Sequence, residues 1–243
     1  MAGTATHLAV ADLICKKLGN EAFRSLPMFY SGNIAPDAVH SRAGYIREYK
    51  KQTHLTTGLG GADFQDSEKV KIFHGRLCEY IEKYLHKENG DYDLYLGYVC
   101  HLVTDEFFNI NLRKKMVANM ASDGLATEGP ELARAILSDM DIVDRQIMAN
   151  YPFQNDVKAL LSEVWNLEVS DMVSADETNR SKQWVIDKLF CKECDDVTPK
   201  YYSYSEALSF IEYCADNIIE VSAVTHNLKN SFDFYFFIPI DNT

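Results

Sequence analysis

Apolar residues recur at helical spacing along most of the chain, and the breaks between them carry cap and turn chemistry. Leu8, Ala11, Leu13 and Leu18 place a stripe on one face of residues 6–18, with Thr4 or Thr6 to open the helix and Gly19 to stop it. Val70, Phe73, Leu77, Tyr80, Ile81, Tyr84 and Leu85 do the same over 67–87. Leu132, Ile136, Met140, Val143 and Ile147 mark a helix opened by Gly129-Pro130. Shorter helices are expected over 21–26, 156–165 and 182–190. The last long helix, 203–229, opens on a Ser203/Glu206 capping box. No alternation is strong enough to build a sheet, so the expected fold class is all-α, a single-domain multi-helix bundle. Residues 1–112 and 113–230 form its two halves, and the apolar segment 231–243 is expected to pack back as a strap.

One stretch departs from the amphipathic pattern. From Tyr92 to Leu112 nearly every residue is apolar or aromatic and no proline interrupts. A helix apolar all round is buried on every side, so 92–112 is predicted to be the central helix. It nevertheless carries His101 and Asp105, spaced i, i+4 and so on the same face one turn apart. An unpaired buried carboxylate or imidazole costs several kcal/mol or changes its ionisation. Two readings of the pair stand at this point. The residues hydrogen-bond each other in the core, or they hold a metal ion, for which imidazole and carboxylate are suitable donors.

Composition narrows the class. A hydrophobic fraction of 47% in 243 residues supplies a large core. A formal net charge of -12 argues against general nucleic-acid binding. No apolar run is long enough for a signal sequence or a transmembrane segment, so the expectation is a cytoplasmic protein. The six cysteines are scattered, four of them in helical patterns, which suits reduced core thiols better than a disulfide frame. Cys191 and Cys194 form a lone C-x-x-C with no second pair and no βαβ context.

Other candidate groups lie between the helices. His7 sits at the start of the first helix, where the dipole favours a neutral imidazole. Gly32, Asn33 and Pro36 read as turn residues that deliver Asp37. Residues 41–61 read as a surface excursion, locally basic through Arg42, Arg47, Lys50 and Lys51, with His54 ahead of Gly58, Gly60 and Gly61. His74 and Cys78 read as the shoulder of a core face. The acidic run Glu131, Asp139, Asp141 and Asp144 reads as a solvated helix face.

Four of these pieces occur in one order: Thr6-His7 at the head of a helix, Gly32-Asn33-Ile34-Ala35-Pro36-Asp37, Thr53-His54, and His101-x-x-x-Asp105 on the central helix. That order resembles the zinc-dependent phospholipase C family and its relatives, the single-strand-specific nucleases of the same all-helical superfamily. The resemblance covers roughly the first half of the chain. It implies that Asp37, His54, His101 and Asp105 hold one Zn2+, that Asp105 bridges to a second which His7 also ligates, and that Asp37 orients or deprotonates a metal-activated water. The family's later His-x-x-x-Glu pair has no counterpart, and Asn109 or Asn111 stands in the neighbourhood of another family histidine, so one or two ions are expected and the third is not. The implied activity is zinc-dependent hydrolysis of a phosphodiester or phosphomonoester, with a small phosphorylated substrate and Asp37 and Asp105 as catalytic candidates. Arg42, Glu106 and Asn109 are candidates for contact with substrate. The alternative is a non-catalytic, metal-stabilised helical domain that binds a partner or small ligand.

Overall fold

The structure, a computed structural model, describes residues 2–190 and 197–227. Among them it is all-helical, with a single isolated bridge between Val169 and Val173 in place of any strand. The helices are α1 (Thr4–Leu18), α2 (Leu26–Ile34), α3 (Arg47–Thr53), α4 (Ser67–Tyr84), α5 (Tyr92–Phe107), α6 (Lys114–Ser122), α7 (Gly129–Asn150), α8 (Val157–Glu163), α9 (Ala175–Trp184) and α10 (Tyr204–Asn227). None is long and apolar enough to cross a membrane. The Cys191/Cys194 pair and the expected strap over 231–243 lie outside the described residues.

α5 is central, as its composition implies: Leu94, Tyr95, Val103 and Phe107 are buried on different sides of it, and α1, α2, α4 and α10 pack around it. Each large side chain of this kind contributes roughly 1.5–3 kcal/mol when fully buried. The expected end at Leu112 is not an end. The chain passes through a π-helical turn at Phe108–Arg113 and continues along α6 to Ser122. A π turn re-aims the side chains that follow it and often sits at a functional site.

The closest packing joins α2 to α5, and two glycines make it possible. A β-carbon at Gly32 would stand 1.9 Å from the Leu94 carbonyl oxygen, and one at Gly97 would stand 2.1 Å from that of Phe29. Gly32 and Asn33 are therefore helix residues at a backbone-to-backbone contact and not the turn residues their types suggested. A proline-containing 3₁₀ helix, Ala35–Ser41, follows directly and presents Asp37. The segment 41–61 is likewise more ordered than a surface excursion, because α3 runs through it and buries Thr53 and His54.

The second half of the chain closes over the first. α1 packs against α7 and α10, and α9 packs against the 3₁₀ helix that carries Asp37. The Ser203/Glu206 capping box of α10 is present, with Glu206 N–H donating to Ser203 Oγ and Ser203 N–H to Glu206 Oε2. α9 opens on a similar box, Ser174 with Glu177, that the sequence reading did not single out.

Candidate metal centre

Five residues from four elements converge beneath the α1–α5 contact. The first turn of α1 supplies His7, the 3₁₀ helix supplies Asp37, the C-terminal end of α3 supplies His54, and α5 supplies His101 and Asp105. His7, His54, His101 and Asp105 are all buried, and Asp37 is partly exposed. All five are residues that the sequence singled out, and the fold brings them together across up to 98 positions of the chain between His7 and Asp105.

The two central imidazoles are held in one tautomer by main-chain carbonyls. His101 Nδ1 donates to Asn33 O at 2.7 Å, a carbonyl placed there by the Gly32/Gly97 contact. His54 Nδ1 donates to Lys50 O at 2.9 Å. Tyr98 Oη, donating to Thr53 O, ties the end of α3 to α5, and Leu55 turns the chain away with a left-handed φ of 56°. With both Nδ1 protons committed, each Nε2 presents a lone pair, and the two Nε2 atoms face each other at 3.2 Å. Burial pushes both imidazoles below their ordinary pKa, helped at His54 by the Lys50 charge and at His101 by His7, so both are neutral at pH 7. Two facing lone pairs in a dry site repel unless a cation lies between them. A histidine that anchors its other ring nitrogen on a carbonyl is the usual arrangement of a metal ligand.

The carboxylates complete the shell. Asp37 Oδ1 lies 3.4 Å from His54 Nε2, and Asp105 Oδ2 lies 3.5 Å from His54 Nε2 and 3.9 Å from His101 Nε2. A zinc ion bonded at about 2.0–2.1 Å to tetrahedral donors separates those donors by about 3.3–3.4 Å. The cluster therefore has close to the right size for one such ion. The other oxygen, Asp105 Oδ1, faces the opposite way, 3.3 Å from His7 Nε2, and accepts from the Ala2 N–H at 2.7 Å. The two oxygens of Asp105 thus serve two adjoining groups, as a bridging carboxylate does. The His7 ring stacks on His101 at 3.7 Å.

Three of the eight buried side-chain polar atoms without a hydrogen-bond partner among the described residues are here. Both ring nitrogens of His7 and Asp105 Oδ2 are buried and unpaired. Such orphans cost about 1–3 kcal/mol each, and a bound cation would satisfy them. Burial alone would raise Asp105, yet the charge of the terminal amine first, and then the facing His7 and His101 rings, hold it far below the ordinary carboxylate range. Asp37 is held well below that range too: burial opposes, while the Lys50 ammonium and the His40 and His54 rings prevail. The donor set and its geometry fit a metal ion.

A cavity of about 620 Å³ opens on the cluster. His7, Asn33, Asp37 and His101 line its base. Lys50, Arg180 and Asp144 add charge to its wall, and Leu137, Met140 and Trp184 make an apolar side. Asp144 belongs to the acidic run read as solvated, but it is buried against the first turn of α1, accepts from Ala5 N–H at 3.2 Å, and is pushed up to about 6 by burial. Asp139 of the same run is also buried and accepts from Lys200 and Tyr201 N–H. The helical period alone could have found both, since Met140 and Val143 sit beside them on the inner face.

The three substrate-contact candidates lie elsewhere. Arg42 grips Glu177 through Nε at 2.5 Å and Nη2 at 3.1 Å and donates to Met172 O, which locks α9 to the 3₁₀ helix. Glu106 is buried on another face of α5, 2.5 Å from His74 Nε2. Asn109 Nδ2 donates to the main-chain oxygen of Asp105 at 2.8 Å, satisfying a carbonyl next to the π turn. None of the three lines the cavity. His74 and Cys78 stand apart from the five-residue cluster as well. Comparison with protein-family models, curated proteins and solved structures finds no match to this chain.

Proposed function

We propose that the five-residue cluster holds zinc and that the chain hydrolyses a phosphate ester in the adjoining cavity. The observation that carries the reading is the pair of Nε2 lone pairs of His54 and His101, fixed face to face at 3.2 Å by carbonyl anchors. Three imidazoles and two carboxylates are a donor set of borderline character, which favours zinc over magnesium or calcium. Asp37, His54, His101 and Asp105 Oδ2 would hold one ion, and Asp105 Oδ1 with His7 would contribute to a second. Bound there, zinc supplies a Lewis acid for a phosphoryl oxygen and a water acidic enough to attack at neutral pH.

The chain's own groups supply the rest. Asp37 stays ionised and partly exposed to the cavity, so it is placed to accept a hydrogen bond from an attacking water and orient it. Lys50 and Arg180 stand on a wall that Asp141 and Asp144 share, and Arg180 is paired with Asp176 at 2.6 Å, so a bound cation together with these two groups would be what draws an anionic ligand. Leu137, Met140 and Trp184 give that ligand's organic part an apolar surface. The ordered resemblance to the zinc-dependent phospholipase C family supports the same reaction class.

The test is metal content per chain, with hydrolysis of p-nitrophenyl phosphate and bis-p-nitrophenyl phosphate, in wild type, His101→Ala and Asp105→Asn. One to two zinc per wild-type chain, lost together with turnover in both variants, is the expected result. No metal after zinc is supplied would sink the reading. Zinc that raises stability without turnover of either ester would leave a structural metal domain.

A further inference from the structure

Asp37 Oδ1 is the most contested atom of the cluster. Lys50 Nζ donates to it, His54 Nε2 lies 3.4 Å away and His40 Nε2 3.5 Å away, and Lys50 Nζ is itself 3.1 Å from His40 Nε2. Lys50 and His54 are spaced i, i+4 on α3, so they share a face. The main chain of Lys50 cannot move, because its carbonyl oxygen accepts from His54 Nδ1 and from Thr53 Oγ1. Its side chain can, being an unbranched four-carbon stem with the ammonium on the cavity wall.

We propose that Lys50 is a displaceable stand-in for a metal ion: its ammonium neutralises Asp37 until a divalent cation takes Asp37, His54 and His101, and is then driven into the cavity, where it receives the anionic group of the ligand. The inference rests on the metal reading above and adds to it a coupling between metal and anion. An ammonium has three donors and no acceptor, so it can balance Asp37 but cannot share in ligating a cation. A divalent ion and an ammonium on one carboxylate oxygen repel strongly in a buried site. The two imidazoles are anchored through their Nδ1 atoms, which leaves the lysine as the group that yields. Once displaced, it is a cation facing a cavity that Arg180 and Ser41 also line, together with Asp141, which is paired with Arg145, and Asp144, which accepts from Ala5 N–H. An anion that binds it removes the repulsion, so zinc and anion each tighten the other by the same factor.

The experiment measures zinc affinity, by competition with a chromophoric chelator, with and without inorganic phosphate, in wild type, Lys50→Met and Lys50→Arg. In wild type, phosphate is expected to tighten zinc at least tenfold. Lys50→Met is expected to bind zinc at least tenfold more tightly than wild type without phosphate and to lose most of the phosphate effect. Lys50→Arg retains the coupling. Circular dichroism with and without zinc identifies a variant that needs the ion to fold, in which case the wild-type phosphate effect and Lys50→Arg decide the matter. Zinc bound equally by wild type and Lys50→Met, with the same response to phosphate, overturns this inference alone. No zinc on the wild-type chain overturns it together with the metal reading.

Discussion

Asp105 and Glu106 are consecutive residues of α5, both buried, and the fold answers them differently. Glu106 meets one histidine, His74 of α4, at 2.5 Å. That is a pairwise contact between two adjacent helices. Asp105 meets three histidines, His7, His54 and His101 of its own helix, at 3.3 to 3.9 Å, and each of the two acids keeps one oxygen without a hydrogen bond, Asp105 Oδ2 and Glu106 Oε2. Apart from the Ala2 N–H on Oδ1, the histidine contacts of Asp105 are too long to be a settled hydrogen-bond network and are spaced as the donors around a small cation would be. A buried acid on a helix is thus not itself a sign of a site. What separates the two is how many donors converge and at what spacing: one histidine at hydrogen-bond distance on Glu106, three at metal-donor spacing on Asp105.

The largest effect should come from disturbing the helix contact on which only the Asp105 side depends. Gly97→Ala forces a β-carbon against Phe29 O and separates α2 from α5. The loss expected is about 4 kcal/mol or more, read by urea denaturation, with loss of zinc in whatever fraction still folds. A smaller and more selective change tests the comparison itself. Asp105→Asn should weaken zinc about a hundredfold, about 2.7 kcal/mol. Glu106→Gln should leave zinc affinity unchanged and lower stability by about 1–2 kcal/mol. Equal loss of zinc in both variants would erase the distinction drawn here.

Acid should act through the imidazoles. Burial holds His54 and His101 below their ordinary pKa in the folded chain. The unfolded chain therefore takes up protons, from about pH 6.5 downward, that the folded chain refuses. Stability of the metal-free protein should fall as pH drops through that range, and His101→Gln should reduce the slope. A comparably small effect belongs to a residue outside the cluster. Arg42→Ala takes a partly exposed partner from the buried Glu177 carboxylate and should cost about 1–2 kcal/mol, measured by thermal melting, with zinc content intact.

The residues of the centre were legible because their chemistry conflicts with their setting. His101 and Asp105 stand in an apolar helix, and that conflict is visible in one dimension. His7, Asp37 and His54 were legible only through the order of the short motifs, since nothing in their local patterns distinguishes them from caps and surface residues. Lys50 was hidden for a local reason. Residues 41–61 read as a loop, and without α3 the i, i+4 relation between Lys50 and His54 has no meaning. Asp144 and Asp139 were hidden because a cluster of acids on a helix is ordinarily solvated.

By itself, then, the pattern of apolar and polar positions determined that the chain is all-helical, that α5 is central, and that a polar pair is buried within it. Periodicity and caps act over a few residues, and the sequence displays them directly. Only the tertiary structure decided that Gly32 and Gly97 bring two backbones into contact, that this aims the Asn33 carbonyl at His101, and that Arg42 belongs to Glu177 and not to the cavity. Those are meetings between groups distant in the chain. They depend on the angle and separation of packed helices, which local propensity does not specify.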